Sequence, residues 1–263
     1  MKPWRLLDTG MLPGVFNMAI DQALLEMHAE GKSPPTLRFY QWQPPAISLG
    51  YFQKRHGLNL SACRDIGLDV VRRPTGGRAV LHLNDLTYSV IAGAGENIPL
   101  SLPAAYGLLC EALLAGFRLL GFEAAQGDEK TSSLPEDICF MHPAIGDIVF
   151  NGKKFIGSAQ TWQGTSLLQH GSIVLMPQGQ TWEMISAPDA ATRKTLHQKL
   201  EARTISLQEI LGRIVEPDEV KAAIKTGMTQ TLGAAFQAGE LCPEEWVLAR
   251  EIASRHQTIY HEG

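Results

Sequence analysis

Between Val70 and Gly93 the chain carries three β-prone runs, Val70 to Arg73, Ala79 to Leu83 and Leu86 to Gly93, separated only by turn chemistry. Pro74-Thr75-Gly76-Gly77 and Asn84-Asp85 leave no room for a helix between them. Strands that follow one another this closely, with a long amphipathic segment from Ala104 to Phe122 after them, predict an α+β layout in which that helix covers one face of their sheet.

The flanking sequence fits this layout. Phe16, Ile20, Ala23, Leu24 and Met27 recur at helical spacing with Asp21 and Glu26 interspersed, which predicts an amphipathic helix from Phe16 to Glu30 ended by Gly31. Leu37 to Trp42 and Ala46 to Phe52 read as a strand pair around Pro44-Pro45. Asp147 to Phe150, Asn151-Gly152 and Lys154 to Trp162 form the strongest hairpin signal in the chain, and Leu167 to Leu175 reads as a third strand. After Pro177 the pattern turns helical, with a capping box at Ser206 to Glu209 and with Pro217 and Pro243 near the starts of the last two helices. A boundary near residue 180 therefore separates a main domain, 1–180, from a helical C-terminal extension, 181–263, packed on it.

Composition narrows the function. Hydrophobic residues at 44% supply a buried core, and 23 Lys+Arg against 27 Asp+Glu give a net charge of −4, which argues against general affinity for nucleic acid. The sequence shows no apolar run of bilayer length and no signal-peptide core near Met1, so no membrane association is expected. Cys63, Cys110, Cys139 and Cys242 are widely spaced with no C-x-x-C pair, which suggests a reducing compartment, the cytoplasm, and no metal site. His82 and His170 stand on separate strands with no carboxylate at ligand spacing, which also speaks against a metal.

Three segments carry potential chemistry. In Arg72-Arg73-Pro74-Thr75-Gly76-Gly77-Arg78-Ala79-Val80-Leu81-His82, three arginines flank a Gly-Gly turn, where backbone N–H groups and forked donors can converge on an anionic oxygen. A solvated basic hairpin would look the same. In Asn151-Gly152-Lys153-Lys154-Phe155-Ile156-Gly157-Ser158 the turn projects two lysines, and Lys154 and Ser158 share a face by the period of two, so an inward lysine can stabilise charge in acyl transfer. Lysines at hairpin tips more often serve solubility. Cys139, in Asp137-Ile138-Cys139-Phe140-Met141-His142, is a candidate acyl acceptor if Lys154, Arg78, His142 or His170 lowers its pKa, whereas Cys63, Cys110 and Cys242 read as small buried hydrophobes.

Together these motifs resemble the lipoate-protein ligase A and octanoyltransferase family. The likeness rests on the Arg72 to His82 segment with Leu86-Thr87-Tyr88-Ser89-Val90, on Gly152 to Gln160, on His170-Gly171-Ser172, and upstream on Asn17-Met18-Ala19, Arg38-Phe39-Tyr40 and Gly50-Tyr51-Phe52-Gln53. It implies a biotin/lipoyl ligase-like fold, with a central mixed sheet flanked by helices and a small helical C-terminal part. It also implies an enzyme that moves an octanoyl or lipoyl group onto a lysine of a lipoyl domain. Residues 1–180 would then be the catalytic acyl-transfer domain. Arg72, Arg73, Gly76, Gly77, Arg78, His82, Ser158 and His170 would bind substrate, and Lys154 would contact the acyl carbonyl.

The interval of 15 residues from Cys139 to Lys154 and the Gly76-Gly77-Arg78 loop are similar to the cysteine-dependent octanoyltransferase branch. That branch uses a covalent acyl-enzyme and needs no cofactor. The donor would be acyl carrier protein, and the acceptor the glycine-cleavage H protein, a dehydrogenase E2 subunit or a similar lipoyl-bearing carrier. The alternative is an ATP-dependent lipoate-protein ligase working through lipoyl-AMP with Mg²⁺. Leu83 departs from the family, which has an acidic residue directly after this histidine; Asp85 is the nearest substitute, and a missing contact would favour a non-catalytic binding module. His142 and the departing thiolate are both candidates for the general base.

Overall fold

A computed structural model of the chain describes residues 3–54, 58–127, 147–187 and 189–255. Its first element is a strand, β1 (Trp4–Leu12), and α1 (Gly14–Ala29) then crosses over so that β2 (Thr36–Trp42) lies parallel to β1. β1 does not figure in the sequence reading because its exposure follows no clean alternation.

The expected pairing of the two runs around Pro44-Pro45 does not occur. β3 (Ala46–Leu49) leaves β2 and starts a separate three-stranded sheet with β4 (Asp69–Arg72) and β5 (Val80–His82), while α2 (Leu60–Asp65) connects β3 to β4. Proline offers no N–H to a ladder and fixes φ, so a Pro-Pro pair suits a change of sheet better than a tight hairpin. The single sheet expected over residues 70–93 is divided likewise. Asn84, with φ 53°, turns the chain out of the small sheet into β6 (Asp85–Gly93) at the centre of the large one.

α3 (Leu102–Leu119) follows, then β7 (Ala125–Gln126), β8 (Ile148–Phe150), β9 (Lys153–Gln163) and β10 (Ser166–Val174). The Asn151-Gly152 hairpin forms as expected, with φ of 49° and 76° at its two residues. Beyond it the chain is helical through α4 (Gly179–Ser186), α5 (Ala190–Arg203), α6 (Leu207–Leu211), α7 (Pro217–Leu232) and α8 (Pro243–Arg255), apart from β11 (Phe236–Ala238). The Ser206 capping box is present, with the Ser206 N–H donating to Glu209 Oε2 at 2.8 Å. The large sheet runs β11-β1-β2-β6-β10-β9-β8-β7 and is parallel at its β11-β1-β2 side and antiparallel from β2 onward. This is the mixed sheet of the expected α+β fold.

Helices cover both faces. α3 and α7 bury Leu109, Leu113, Phe117, Ile224 and Met228 against Phe39, Tyr88 and Ile173. α1 and α8 bury Ile20, Leu24, Ala249 and Ile252 against Leu7, Ile91 and Leu168 on the other face. α3 is long and apolar enough by composition to cross a bilayer, but its apolar stripe is spent on this core. The small sheet has its own core with α2, α4 and α5, built from Ile47, Val70, Leu81, Trp182 and Leu200.

α3 and α7 approach so closely that a Cβ on Gly227 would stand 2.3 Å from the Ala112 carbonyl oxygen and 2.4 Å from the Gly116 nitrogen. Both obstacles are backbone, so the helices must separate to admit a methyl group. Gly227→Ala should therefore destabilise the fold by about 1–3 kcal/mol, despite the better helix propensity of alanine. Urea unfolding followed by tryptophan fluorescence checks this, and a midpoint equal to or above that of the unaltered protein would refute the close crossing.

Candidate active site

The small sheet packs against α1, and between the two sheets lies a small cleft. Met18 from α1, Tyr40 and Trp42 from β2, Val80 and His82 from β5 and His170 from β10 line it, with Gly77, Gly157 and Ser158. The surface it offers is largely apolar because the polar groups around it are bonded to one another.

Arg73 organises the loop above the cleft. Its buried guanidinium donates from Nη1 to the Ser48 carbonyl at 2.7 Å, and from Nη2 to the carbonyls of Gly76 at 2.8 Å and Arg78 at 2.7 Å. Arg72 donates from Nη1 to three carbonyls, those of Gly50, Tyr51 and Gln53, at 2.7, 3.0 and 2.9 Å. These two arginines spend their forked donors on backbone carbonyls, which fixes loop shape, and Arg78 stays half-buried beside them. Gly77 has φ 96°, and a Cβ on Gly50 would fall 1.9 Å from the Gly77 oxygen, so the two loops touch backbone to backbone.

Two buried histidines connect this loop to the sheet. His170 Nδ1 lies 2.9 Å from Asp21 Oδ2, and its Nε2 lies 2.6 Å from Thr75 Oγ1. Asp21 also accepts from Arg38 Nη1 at 2.7 Å, Tyr40 Oη at 2.8 Å and Ser89 Oγ at 2.8 Å. Burial by itself would raise the Asp21 pKa, but Arg38, His170 and Tyr40 together hold it below its ordinary value. Because an ionised carboxylate only accepts, His170 Nδ1 is the donor to Asp21, and its Nε2 faces the Thr75 hydroxyl.

His82 has the parallel arrangement. Nδ1 lies 2.9 Å from Asp85 Oδ2 and Nε2 lies 2.8 Å from Ser48 Oγ, while the ring stacks on Trp42 at 3.8 Å. Asp85 Oδ2 accepts as well from Ser172 Oγ at 2.7 Å and Thr87 Oγ1 at 3.1 Å. Asp85 thus supplies the carboxylate that Leu83 does not. Burial, helped by the charges of Arg73 and His170, outweighs Asp85 and pushes the His82 pKa down, so the ring is neutral.

Of the two hairpin lysines, Lys154 is the inward one. It is fully buried, with Nζ 2.8 Å from Asp147 Oδ2. Ser158 Oγ bonds Tyr88 Oη at 2.8 Å, and Tyr106 of α3 donates to the Ser158 carbonyl at 3.0 Å. Burial first, and the Asp147 charge as well, raise the Tyr88 pKa and push the Cys110 thiol up to about 12. Burial also pushes Cys63 up to about 11, which makes both thiols inert, while Cys242 is only half-buried. Cys139 and His142 lie outside the described residues. Of the described residues flanking them in sequence, the Gly127 N–H donates to the carbonyl of Asp147, the partner of Lys154, at 2.8 Å.

Sequence reading did not reach Asp21, Arg38, Ser48 or Thr75 as members of this constellation. Asp21, one of the two acidic residues interspersed in the predicted amphipathic helix, is fully buried. The signal was its spacing: Asn17 and Asp21 are four apart and interleave with buried Ile20 and Leu24, so polar groups stand on the apolar face of α1.

Residues 13–229 match the family model described as the lipoyl protein ligase A/B catalytic domain. The octanoyltransferase LipM of Moorella thermoacetica is 43% identical over 265 residues, covering 96% of this chain and 95% of that protein. That of Geobacillus kaustophilus is 38% identical over 260 residues, covering 95% and 94%. Among solved structures, the bi-partite lipoate protein ligase of Thermoplasma acidophilum, studied with its E2 lipoyl domain, superposes with a TM-score of 0.79 at 25% identity, covering 97% of this chain and 93% of that one.

Because the folded-state pKa of His82 lies below its ordinary 6.5, the unfolded chain takes up the proton first as pH falls. The stability tied to His82 is therefore complete above pH 6.5 and declines below it, and His82→Gln should flatten that part of a urea-midpoint profile. Asp21→Asn leaves Arg38 buried without its counter-charge and should cost about 3–5 kcal/mol at pH 7. An unfolding free energy within 1 kcal/mol of the unaltered protein would contradict the network described here.

Proposed function

Since the chain belongs to the lipoyl protein ligase A/B catalytic-domain family, we propose that it works through a Cys139 thioester and needs neither ATP nor Mg²⁺. The overall reaction is the transfer of an octanoyl or lipoyl group to a lysine of a lipoyl domain, and the enzyme is a protein-lysine acyltransferase. In the first half-reaction the Cys139 thiolate attacks the thioester carbonyl of octanoyl-acyl carrier protein, the new C–S bond forms, and the carrier's thiolate leaves and takes up a proton. In the second, the neutral amine of the acceptor lysine attacks the acyl-enzyme, the amide forms, and the Cys139 thiolate is released as the amine gives up its proton. The acyl tail occupies the cleft lined by Met18, Tyr40, Trp42 and Val80.

The observation that carries this reading is the placement of Lys154. A lysine two residues past a hairpin turn belongs in water by every local rule, and burying its ammonium is costly unless it is paired. Here it is fully buried, and its partner Asp147 bounds the segment that contains Cys139, eight residues upstream in sequence. Lys154 Nζ and the N–H groups of the Thr75 to Arg78 loop are the donors we assign to the oxyanion of each tetrahedral intermediate. The same cation favours the Cys139 thiolate.

His82 and His170 are positioning groups in this scheme, because both ring nitrogens of each are bonded within the protein. The glycine-cleavage H protein and the dehydrogenase E2 lipoyl domains are the acceptors we assign. We place the enzyme in the cytoplasm; the described cysteines form no disulfide among themselves, in keeping with a reducing compartment.

Incubation with octanoyl-acyl carrier protein in the absence of nucleotide should add one octanoyl group to the intact mass, and Cys139→Ser should abolish both the adduct and transfer. Lys154→Met should lower the rate of adduct formation at least 100-fold. A Cys139→Ser protein that still modifies a lipoyl domain, but only with free acid and ATP, would replace the thioester route with the ligase reaction.

A further inference from the structure

Phe52 and Tyr51 are the most conspicuous unexplained feature of the surface near the cleft. Phe52 is 87% exposed and Tyr51 55% exposed, and their rings meet edge to face with centroids 4.7 Å apart. Other exposed apolar side chains, such as Met11, Leu100 and Ile214, lie far from this loop in sequence and have no ring partner. This pair sits at the rim of the cleft: the Tyr51 N–H donates to the Thr75 carbonyl at 2.8 Å, and Gly50 rests directly on Gly77, which lines the cleft.

The loop that carries the two rings is held in place from below. Arg72 binds the carbonyls of Gly50, Tyr51 and Gln53 with a single nitrogen, and the Gln53 N–H closes back on the Gly50 carbonyl at 3.0 Å. Two aromatic rings presented to water on a backbone fixed by five hydrogen bonds lose little entropy on being covered, which is the signature of an interaction hot spot.

From this we infer that Tyr51 and Phe52 form the docking platform for the acceptor domain that carries the target lysine. The inference rests on the acyl-transfer reading above. Reach decides the occupant: a lysine side chain extends only about 6 Å from its own backbone, so the folded surface around it must press against the rim for the amine to touch the acyl carbonyl. A donor that delivers its acyl group on a long flexible arm has no such need. Lys54, exposed next in the loop, extends the platform with a positive charge, so the acceptor surface that fits it is apolar with a carboxylate nearby.

The test separates the half-reactions, using octanoyl-acyl carrier protein as donor and the unmodified lipoyl domain of a dehydrogenase E2 subunit as acceptor. Phe52→Ala and Tyr51→Ala should each raise KM for the lipoyl domain about tenfold or more, with the rate of octanoyl-adduct formation and kcat at saturating acceptor unchanged. Both side chains are exposed, so the urea midpoint should stay put and exclude misfolding. Titration calorimetry of the lipoyl domain against the Cys139→Ser protein and its Phe52→Ala derivative should show the same loss in Kd without any turnover. An unchanged KM and Kd, or a defect confined to adduct formation, would overturn the inference. If the parent protein forms no adduct, the thioester reading falls while the Kd comparison still decides the docking surface.

Discussion

The carboxylate of Asp21 is the point on which this structure depends. One fully buried anion accepts hydrogen bonds from Arg38, Tyr40, Ser89 and His170, side chains that belong to β2, β6 and β10, while Asp21 itself belongs to α1. Asn17 extends the contact, since its side-chain and backbone oxygens both accept from Arg38. A lone charge there would be prohibitively costly, and four donors with a guanidinium among them make it tolerable and directional at once. The helix is thereby locked in one rotation against three strands, and the orientation of His170, hence of Thr75 and its loop, is fixed with it.

The loop over the cleft follows the same logic. Its sequence is rich in arginine, and the expected use of arginine beside glycines is to greet an anion. The structure gives Arg72 and Arg73 the opposite duty, with guanidinium groups turned toward the backbone carbonyls of two loops. Carbonyls taken by arginine hold the two loops in one shape before anything binds in the cleft. His82, its pKa pushed down by burial, is held between Asp85, Ser48 and Trp42 on the wall of the cleft.

The three thiols that the structure describes sort by environment. Cys63 and Cys110 are buried, with pKa values raised by burial to about 11 and about 12, so both are held as unreactive thiols. Lys154, by contrast, is a buried amine whose Nζ is paired with Asp147 Oδ2 at 2.8 Å.

Much of this protein was legible from its residues. Local rules governed by neighbours in sequence held: Asn151-Gly152 makes the hairpin, Ser206 and Glu209 make their capping box, and the alternating β-prone runs become strands. The ordered set of motifs from Asn17 to Ser172 specified the family, because backbone geometry and side-chain chemistry at a site constrain short stretches directly. What the sequence alone did not determine is which strand joins which sheet, which side of α1 is truly inside, and where each arginine points. The Pro44-Pro45 break sends β3 to a second sheet, Asp21 faces the core, and Arg73 turns inward, because each outcome involves partners distant in sequence, as with Arg38, 17 residues from Asp21, His170, 149 residues from it, and Ser48, 25 residues from Arg73. Such pairings appear only when the chain closes on itself, since a buried polar group selects its position by the distant group that satisfies it.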